Sequence, residues 1–371
     1  MKITVWQKNL KQGLFATSYI TGRNTNLQIL NNVLIKAEAN AIKLISTDLD
    51  LGVVSHIRGK VEVEGSLTVN AKILANFINL LPNKTINLSV DNNSLAVTGD
   101  NYQTKIKGES ADDYPLLPEI NEQERVNLDI NEFKEAMAAV LFSASNDDSR
   151  PALTGVVFYC QEDDLVMAAT DSYRLAEKKI KLLKKTEGLS DRKIIIPLKT
   201  LQELNRILIG DYTDEQQTAV DIVMADNQIS FLFDNITIIS RLIDEQYPDY
   251  QQIVPKNFTT TAILDKEEFQ RSVKAAAIFS KTGVNDIEIT FTANQATIFS
   301  SSGQVGENSG QLEAKIEGAD ISISLNYRYL LDGLNAIKSK TIEFKLADNT
   351  PCLLKATDKS DYFYIIMPIK K

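Results

Sequence analysis

The sequence predicts an α+β fold of three repeated β-rich domains, each carrying two helices. Three observations predict it. The run from Leu165 to Asp171, an apolar strand ending in Thr170-Asp171, recurs from Ala41 to Asp48, ending in Thr47-Asp48. The spacing is about 123 residues, and a fainter third copy from Ala296 to Ser302 puts Ser301 in the threonine's place. The chain has 371 residues, which divide into three parts of about 124, a common domain size. The same order of strand and helix patterns then returns in each part. A period this long means whole repeated domains rather than a solenoid.

Each part opens with a strand and a helix. Ile3-Thr4-Val5-Trp6 leads into a helix over Lys8 to Ser18, with Leu10 and Leu14 four apart. Val126 to Ile130 alternates strictly; Asn131 is placed to cap a helix with Phe133, Met137, Val140 and Leu141 at helical spacing. Thr261 to Leu264 precedes Asp265, and Glu268 three residues on makes this close to a capping box. Paired strands follow: Leu27 to Ala37 with Ala41 to Val54, Leu153 to Cys160 with Leu165 to Leu175, and Val284 to Thr292 with Ala296 to Ser302. Second helices are expected over Ala71 to Leu81, Leu198 to Ile209 and Tyr327 to Lys338, the first two stopped by Pro82 and Gly210. Each part closes with strands about an Asp-Asn turn. Asp113-Tyr114-Pro115 and Gln246-Tyr247-Pro248 mark similar exits, which places the domains at 1–125, 126–256 and 257–371.

Hydrophobic residues make up 43% of the chain, enough for a core in each part. No run of about 18 apolar residues indicates a membrane span. The start Met1 to Trp6 reads directly as a strand, not a signal peptide, and Cys160 and Cys352 lie far apart in apolar strands as reduced thiols. These features imply a cytoplasmic protein. The net charge of −9 argues against a generally basic nucleic-acid binder but allows one basic face on an acidic body.

Catalytic signals are absent. The single histidine, His56, falls on an alternating strand without distinctive neighbours, and no phosphate loop, Cys-x-x-Cys or metal-ligand spacing occurs. Asp48 and Asp171 read as turn-forming acids of equivalent turns. No cofactor or metal is therefore expected. On the helices, Lys199 and Arg206 share a face away from Leu201, Leu204 and Leu208. Arg271 and Lys274 lie opposite Phe269, Val273 and Ala276, and Lys72 lies opposite Leu74, Phe77 and Leu81.

Thr170-Asp171-Ser172-Tyr173-Arg174-Leu175-Ala176, Tyr247-Pro248-Asp249-Tyr250, Leu334-Asn335-Ala336-Ile337 and Tyr364-Ile365-Ile366-Met367-Pro368 stand in order along the chain. In order, spacing and threefold repetition the sequence resembles the bacterial sliding clamps, the beta subunits of DNA polymerase III, from Met1 to Pro368. The resemblance implies the DNA clamp fold: two chains in a head-to-tail ring, helices lining the hole. It implies a processivity factor, not an enzyme, that encircles double-stranded DNA without reading its sequence. Lys and Arg on the inner helices would attract phosphates weakly. Arg23 and Lys72 match basic positions of the family, Arg150 follows its polar loop before Leu153, and the three join Lys199, Arg206, Arg271 and Lys274 as candidate DNA contacts.

The resemblance also implies a pocket for a short peptide of the replicative polymerase, the clamp loader and other replication or repair proteins. Matching positions are Leu153, Thr170, Tyr173, Arg174, Leu175, Pro248, Ile253, Val284, Asn326, Tyr329, Ile365, Ile366, Met367 and Pro368, with Arg174 and Asn326 able to orient a backbone. Tyr173 stands where some members have His, and Val284 where an aromatic can stand. For the ring joint, Thr104 and Ile106 match one side, Ile278 and Phe279 the other. Two other readings compete: a metal-dependent hydrolase using Asp48 and Asp171, and a repeated interaction protein that does not touch DNA.

Overall fold

The computed structural model describes residues 1–20, 27–118, 124–185, 192–210, 218–281 and 283–369. Those residues contain six α-helices among predominantly antiparallel strands. The helices are α1 (Gln7–Thr17), α2 (Ala71–Leu80), α3 (Ile130–Val140), α4 (Leu198–Ile209), α5 (Lys266–Ala277) and α6 (Tyr327–Ala336). The chain forms two compact units. Unit 1 is Met1–Asn131, Leu182–Leu189 and Lys199–Leu242; unit 2 is Glu132–Lys181, Ser190–Leu198 and Ile243–Lys371.

In unit 1, the strand Lys2–Trp6 lies between Gly59–Val63 and Thr85–Asp91. Leu10 and Leu14 of α1 and Leu74 and Ile78 of α2 pack into one core with Val33, Leu44 and Leu88. α2 starts where Asn70 accepts a hydrogen bond from the Ile73 amide at 3.0 Å. The repeated phrase is a hairpin here: Ala41–Thr47 pairs with Leu51–Ile57. That second strand also pairs with Ile236–Arg241, so one sheet runs from the first third of the sequence into the second. α4 buries Leu201, Leu204 and Leu208, as its spacing predicts.

Unit 2 repeats the arrangement. Asp164–Thr170 pairs with Arg174–Lys185, which pairs in turn with Tyr362–Ile366. A separate four-stranded sheet orders Gly306–Glu313, Gln295–Ser302, Asp286–Thr292 and Ile321–Asn326. Asp265 caps α5 by accepting from the Glu268 amide at 2.8 Å.

Several local expectations change: the strands expected from Leu27 and Leu153 start at Asn32 and Gly155, after the short 3₁₀ helices Gln28–Asn31 and Pro151–Thr154. α3 begins at Ile130, and its cap is Asp129, whose carboxylate accepts from the Asn131 amide at 2.8 Å. Asn131 sits inside the first turn because the aspartate two residues earlier already satisfies that amide. The third copy of the phrase also differs: Ser301 stays within a continuous strand, opposite Glu307, and forms no turn of the Thr-Asp kind. Cys160 and Cys352 are both buried, and burial pushes the Cys352 thiol up to about 12.

Candidate partner-binding site

The turn after Thr170 is fixed by its own side chains. Thr170 Oγ1 accepts from the Ser172 amide at 3.1 Å and donates to the Arg174 carbonyl at 2.6 Å. Asp171 Oδ1 accepts from the amides of Tyr173 and Arg174 at 2.9 and 3.0 Å. Ser172 takes a left-handed φ of 79°. The turn after Thr47 has the same bonds: Thr47 Oγ1 with the Leu49 amide and Leu51 carbonyl, Asp48 Oδ1 with the Asp50 and Leu51 amides. Leu49 repeats the left-handed φ at 83°. Both aspartates are thus turn-formers, as expected. No metal-binding cluster of His, Cys, Asp or Glu occurs among the described residues.

Arg174 is locked above this turn. Its Nε donates to Asp171 Oδ2 at 2.9 Å and its Nη1 to Asp332 Oδ2 at 2.5 Å. The guanidinium lies 4.5 Å from the Tyr329 ring centre and 5.5 Å from that of Phe142. Only 13% of the side chain is exposed. Asn326, too, is engaged, capping α6 through the Arg328 amide at 2.9 Å. Both polar groups therefore hold the framework of the turn and of α6.

The tail closes the site. Ile365 lies opposite Leu175 and Ile366 opposite Arg174. Past the strand, the Met367 amide donates to the Tyr173 carbonyl at 2.9 Å, and the Ile369 amide to the Ser324 carbonyl at 2.8 Å. Leu153, Leu175, Ile365, Tyr247 and Tyr250 form one apolar cluster. Tyr247 accepts from the Thr170 amide at 3.1 Å, so the Pro248 exit is tied to the turn. Thr170 and Ile366 are buried, Tyr329 and Pro368 half-buried, and Pro248 exposed. Tyr173 (62% exposed), Ile253, Val284 and Met367 leave apolar surface open to solvent. The structure thus joins the turn, the tail and the start of α6, a mostly apolar surface with few polar groups, which suits a peptide.

Sequence reasoning missed Phe142, Asp332 and Tyr364. Tyr364 donates to the Tyr329 carbonyl at 3.0 Å, and its ring lies where any side chain on Gly333 would collide, 2.3 Å from an added Cβ. Only Tyr364 carried a signal, in the tail motif.

The candidate DNA contacts divide. Lys72, Arg150, Arg271 and Lys274 are exposed. Arg150 Nη1 donates to Ser172 Oγ at 2.9 Å. Lys199 is ion-paired with Asp48. Arg206 is not free as its helix face predicted. It pairs with Glu203 at 2.5 Å, donates to the Phe15 carbonyl at 2.9 Å and stacks 4.4 Å from the rings of both Phe15 and Tyr19. Arg23 lies outside the described residues.

Thr104 and Ile106 sit on Tyr102–Glu109, which pairs along one side with Ser94–Gly99. Its other side meets a strand only at Gly108 and Glu109, among the described residues. Ile278 is exposed at the end of α5 and Phe279 half-buried. Beside Phe279 runs a second edge, Gly306–Glu313, paired only with Gln295–Ser302 among the described residues. The sequence did not single out this strand because its Gly, Asn and Ser content lacks a strand pattern.

Three family models match in series. They describe the N-terminal, central and C-terminal domains of the DNA polymerase III beta subunit, over residues 1–118, 127–249 and 251–370. The chain is 30% identical over 358 residues to the beta sliding clamp of Staphylococcus epidermidis, covering 93% of each. It is 30% identical over 359 residues to that of Staphylococcus aureus, again 93% of each. Among solved structures, a putative DNA polymerase III beta subunit from Eubacterium rectale superposes with a TM-score of 0.94 at 26% identity, covering 100% of both chains. The DNA polymerase sliding clamp of Bacillus subtilis gives 0.93 at 27% identity, covering 100% of this chain and 99% of that one. With three successive domain models spanning nearly its whole length, the chain belongs to the DNA polymerase III beta subunit family, the bacterial beta sliding clamps.

Proposed function

We propose that the chain is a DNA sliding clamp: two copies join head to tail in a ring around duplex DNA and tether the replicative polymerase. The three beta-subunit domain models in series carry this reading. It assigns domains at 1–125, 126–256 and 257–371, no catalytic step, and action in the cytoplasm. The cleft between the Thr170–Leu175 turn and the tail takes a short peptide shared by polymerase, clamp loader and repair proteins. The open edges at Tyr102–Glu109 and Gly306–Glu313 support the ring joint, since pairing them across two chains would satisfy both. Lys72, Arg150, Arg271 and Lys274, together with Arg23 by its match to the family, supply a sequence-independent attraction to phosphates.

The decisive experiment is topological. Protein placed by a clamp loader on nicked circular DNA should survive a high-salt wash and leave once the circle is cut. Salt weakens phosphate contacts steeply but cannot undo a link. Equal retention on open linear DNA at high salt would overturn the reading.

A further inference from the structure

Unit 1 carries a groove with no role so far. It has a volume of about 910 Å³, within the range of ligand sites. Its floor is the solvent side of Leu34, Ile45, Val54, Leu232, Thr237 and Ile239, with Ala111, Asp112 and residues 114–118 along one wall.

The internal repeat shows what such a groove accepts. Thr47 lies opposite Gly52, and Gly52 opposite Ile239; in unit 2, Thr170 lies opposite Leu175, and Leu175 opposite Ile365. By the same registers Leu34, Ile45 and Val54 correspond to Val157, Ala168 and Glu177. In unit 2 that place is filled by the chain itself. Tyr250 is buried in the cluster with Val157 and Ala168, and its hydroxyl donates to Glu177 at 2.6 Å.

In unit 1 the matching segment, Tyr114-Pro115-Leu116-Leu117, fills the place only in part. Leu117 stands where Tyr250 would and leans over Gly52, 2.4 Å from an added Cβ. It thus replaces the side chain missing at position 52. Leu116 is 95% exposed. Lys36, Lys43 and His56 line the groove, and Glu38 bridges the two lysines at 2.7 and 3.1 Å. Asp112 lines the groove as well, so with Glu38 counted the lining has no net charge, and Lys36 and Lys43 are its cationic points.

We propose that this groove is a second docking site, for an extended partner peptide bearing an aromatic side chain next to a carboxylate. The ring covers Leu34, Ile45 and Val54 as Tyr250 covers their counterparts, and the carboxylate faces Lys36 and Lys43. Burial of the ring supplies the affinity and the charge sets the direction of the peptide. The inference rests on the groove and the repeat, not on the tail cleft.

The test uses the full-length protein with labelled Ile, Leu and Val methyl groups. The probe is a nonapeptide copying Gln246 to Val254. Saturable shifts are expected at Ile45, Val54 and Ile239, and none at Leu153 or Ile365. Thr237→Trp, a change on the solvent side of its strand, should fill the groove and weaken binding at least tenfold, with an unchanged melting curve. A probe with lysine in place of its aspartate should bind at least threefold more weakly. Shifts absent or confined to the tail cleft, or undiminished affinity in Thr237→Trp, would overturn the proposal. Retention on circular DNA does not depend on either result.

Discussion

Asp171 turns one carboxylate oxygen to its own turn and the other to Arg174, whose Nε lies 2.9 Å away. Asp48 divides its oxygens in the same way, with Lys199 of α4 as its cation. The backbone half of the device is local and identical in both copies. The cation half is recruited from wherever the neighbouring element supplies one, so it escapes a search for repeated residues.

Replacing Arg174 should loosen both turn and cleft. Arg174→Ala removes two charged hydrogen bonds and leaves Asp171 without its cation, which costs about 2 kcal/mol. Arg174→Lys should recover little, because an ammonium can neither fork between Asp171 and Asp332 nor stack between rings. Urea unfolding of the two variants measures this; wild-type stability in both would remove Arg174 from the framework.

The tail should matter more to the partner than to the ring. Deleting Met367 to Lys371 removes the Met367–Tyr173 and Ile369–Ser324 hydrogen bonds and part of the exposed apolar surface. Affinity for a polymerase-derived peptide should fall at least about tenfold, or about 1.4 kcal/mol. The native particle should remain at twice the chain mass of 41.3 kDa. Titration calorimetry and native mass spectrometry read the two effects separately.

The basic residues should sort by what they touch. The triple change of Arg23, Lys72 and Arg150 to alanine should weaken DNA binding and loading and lower its salt dependence. It should leave the melting temperature within a degree or so, since exposed charges such as Lys72 and Arg150 stabilise little. Arg206→Ala should do the reverse, lowering the melting temperature through its lost ring and carbonyl contacts. DNA affinity and thermal melts on the same two proteins decide it.

Acid should favour one variant less than neutral pH does. Burial pushes the Glu177 carboxyl above its ordinary value of 4.5, against the opposing pull of the Tyr250 hydroxyl. Its ionisation therefore opposes folding, fully so above the raised folded value and not at all well below 4.5. Glu177→Gln keeps an acceptor for Tyr250 and should be more stable than wild type at pH 7 to 8. That advantage should fade as the pH falls toward about 4. Denaturation midpoints across this range measure it; a constant difference would refute the account.

Much of the fold was legible because it is written in local chemistry. The Thr-Asp turns, the Asp265 cap and the buried faces of α4 and α5 each depend on residues within a few positions. Where two local partners compete, the reading slipped: Asp129 took the amide that a cap at Asn131 would have left unpaired. The cleft was legible only through family motifs. Asp332 and Phe142 have no local mark, and their meeting with Arg174 depends on tertiary packing. Arg206 was misread for the same reason, since helical spacing gives a face but not the helix that covers it.

The strand pairs that pass between repeats have a consequence for dissection. Leu51–Ile57 finds its neighbour in Ile236–Arg241, and Arg174–Lys185 finds one in Tyr362–Ile366. A fragment cut at a repeat boundary would therefore keep its own hydrophobic interior but bare a ready-made row of amides and carbonyls. Such pieces would seek replacement strands from one another, and proteolysis at those boundaries would yield sticky multimers rather than three tidy monomers.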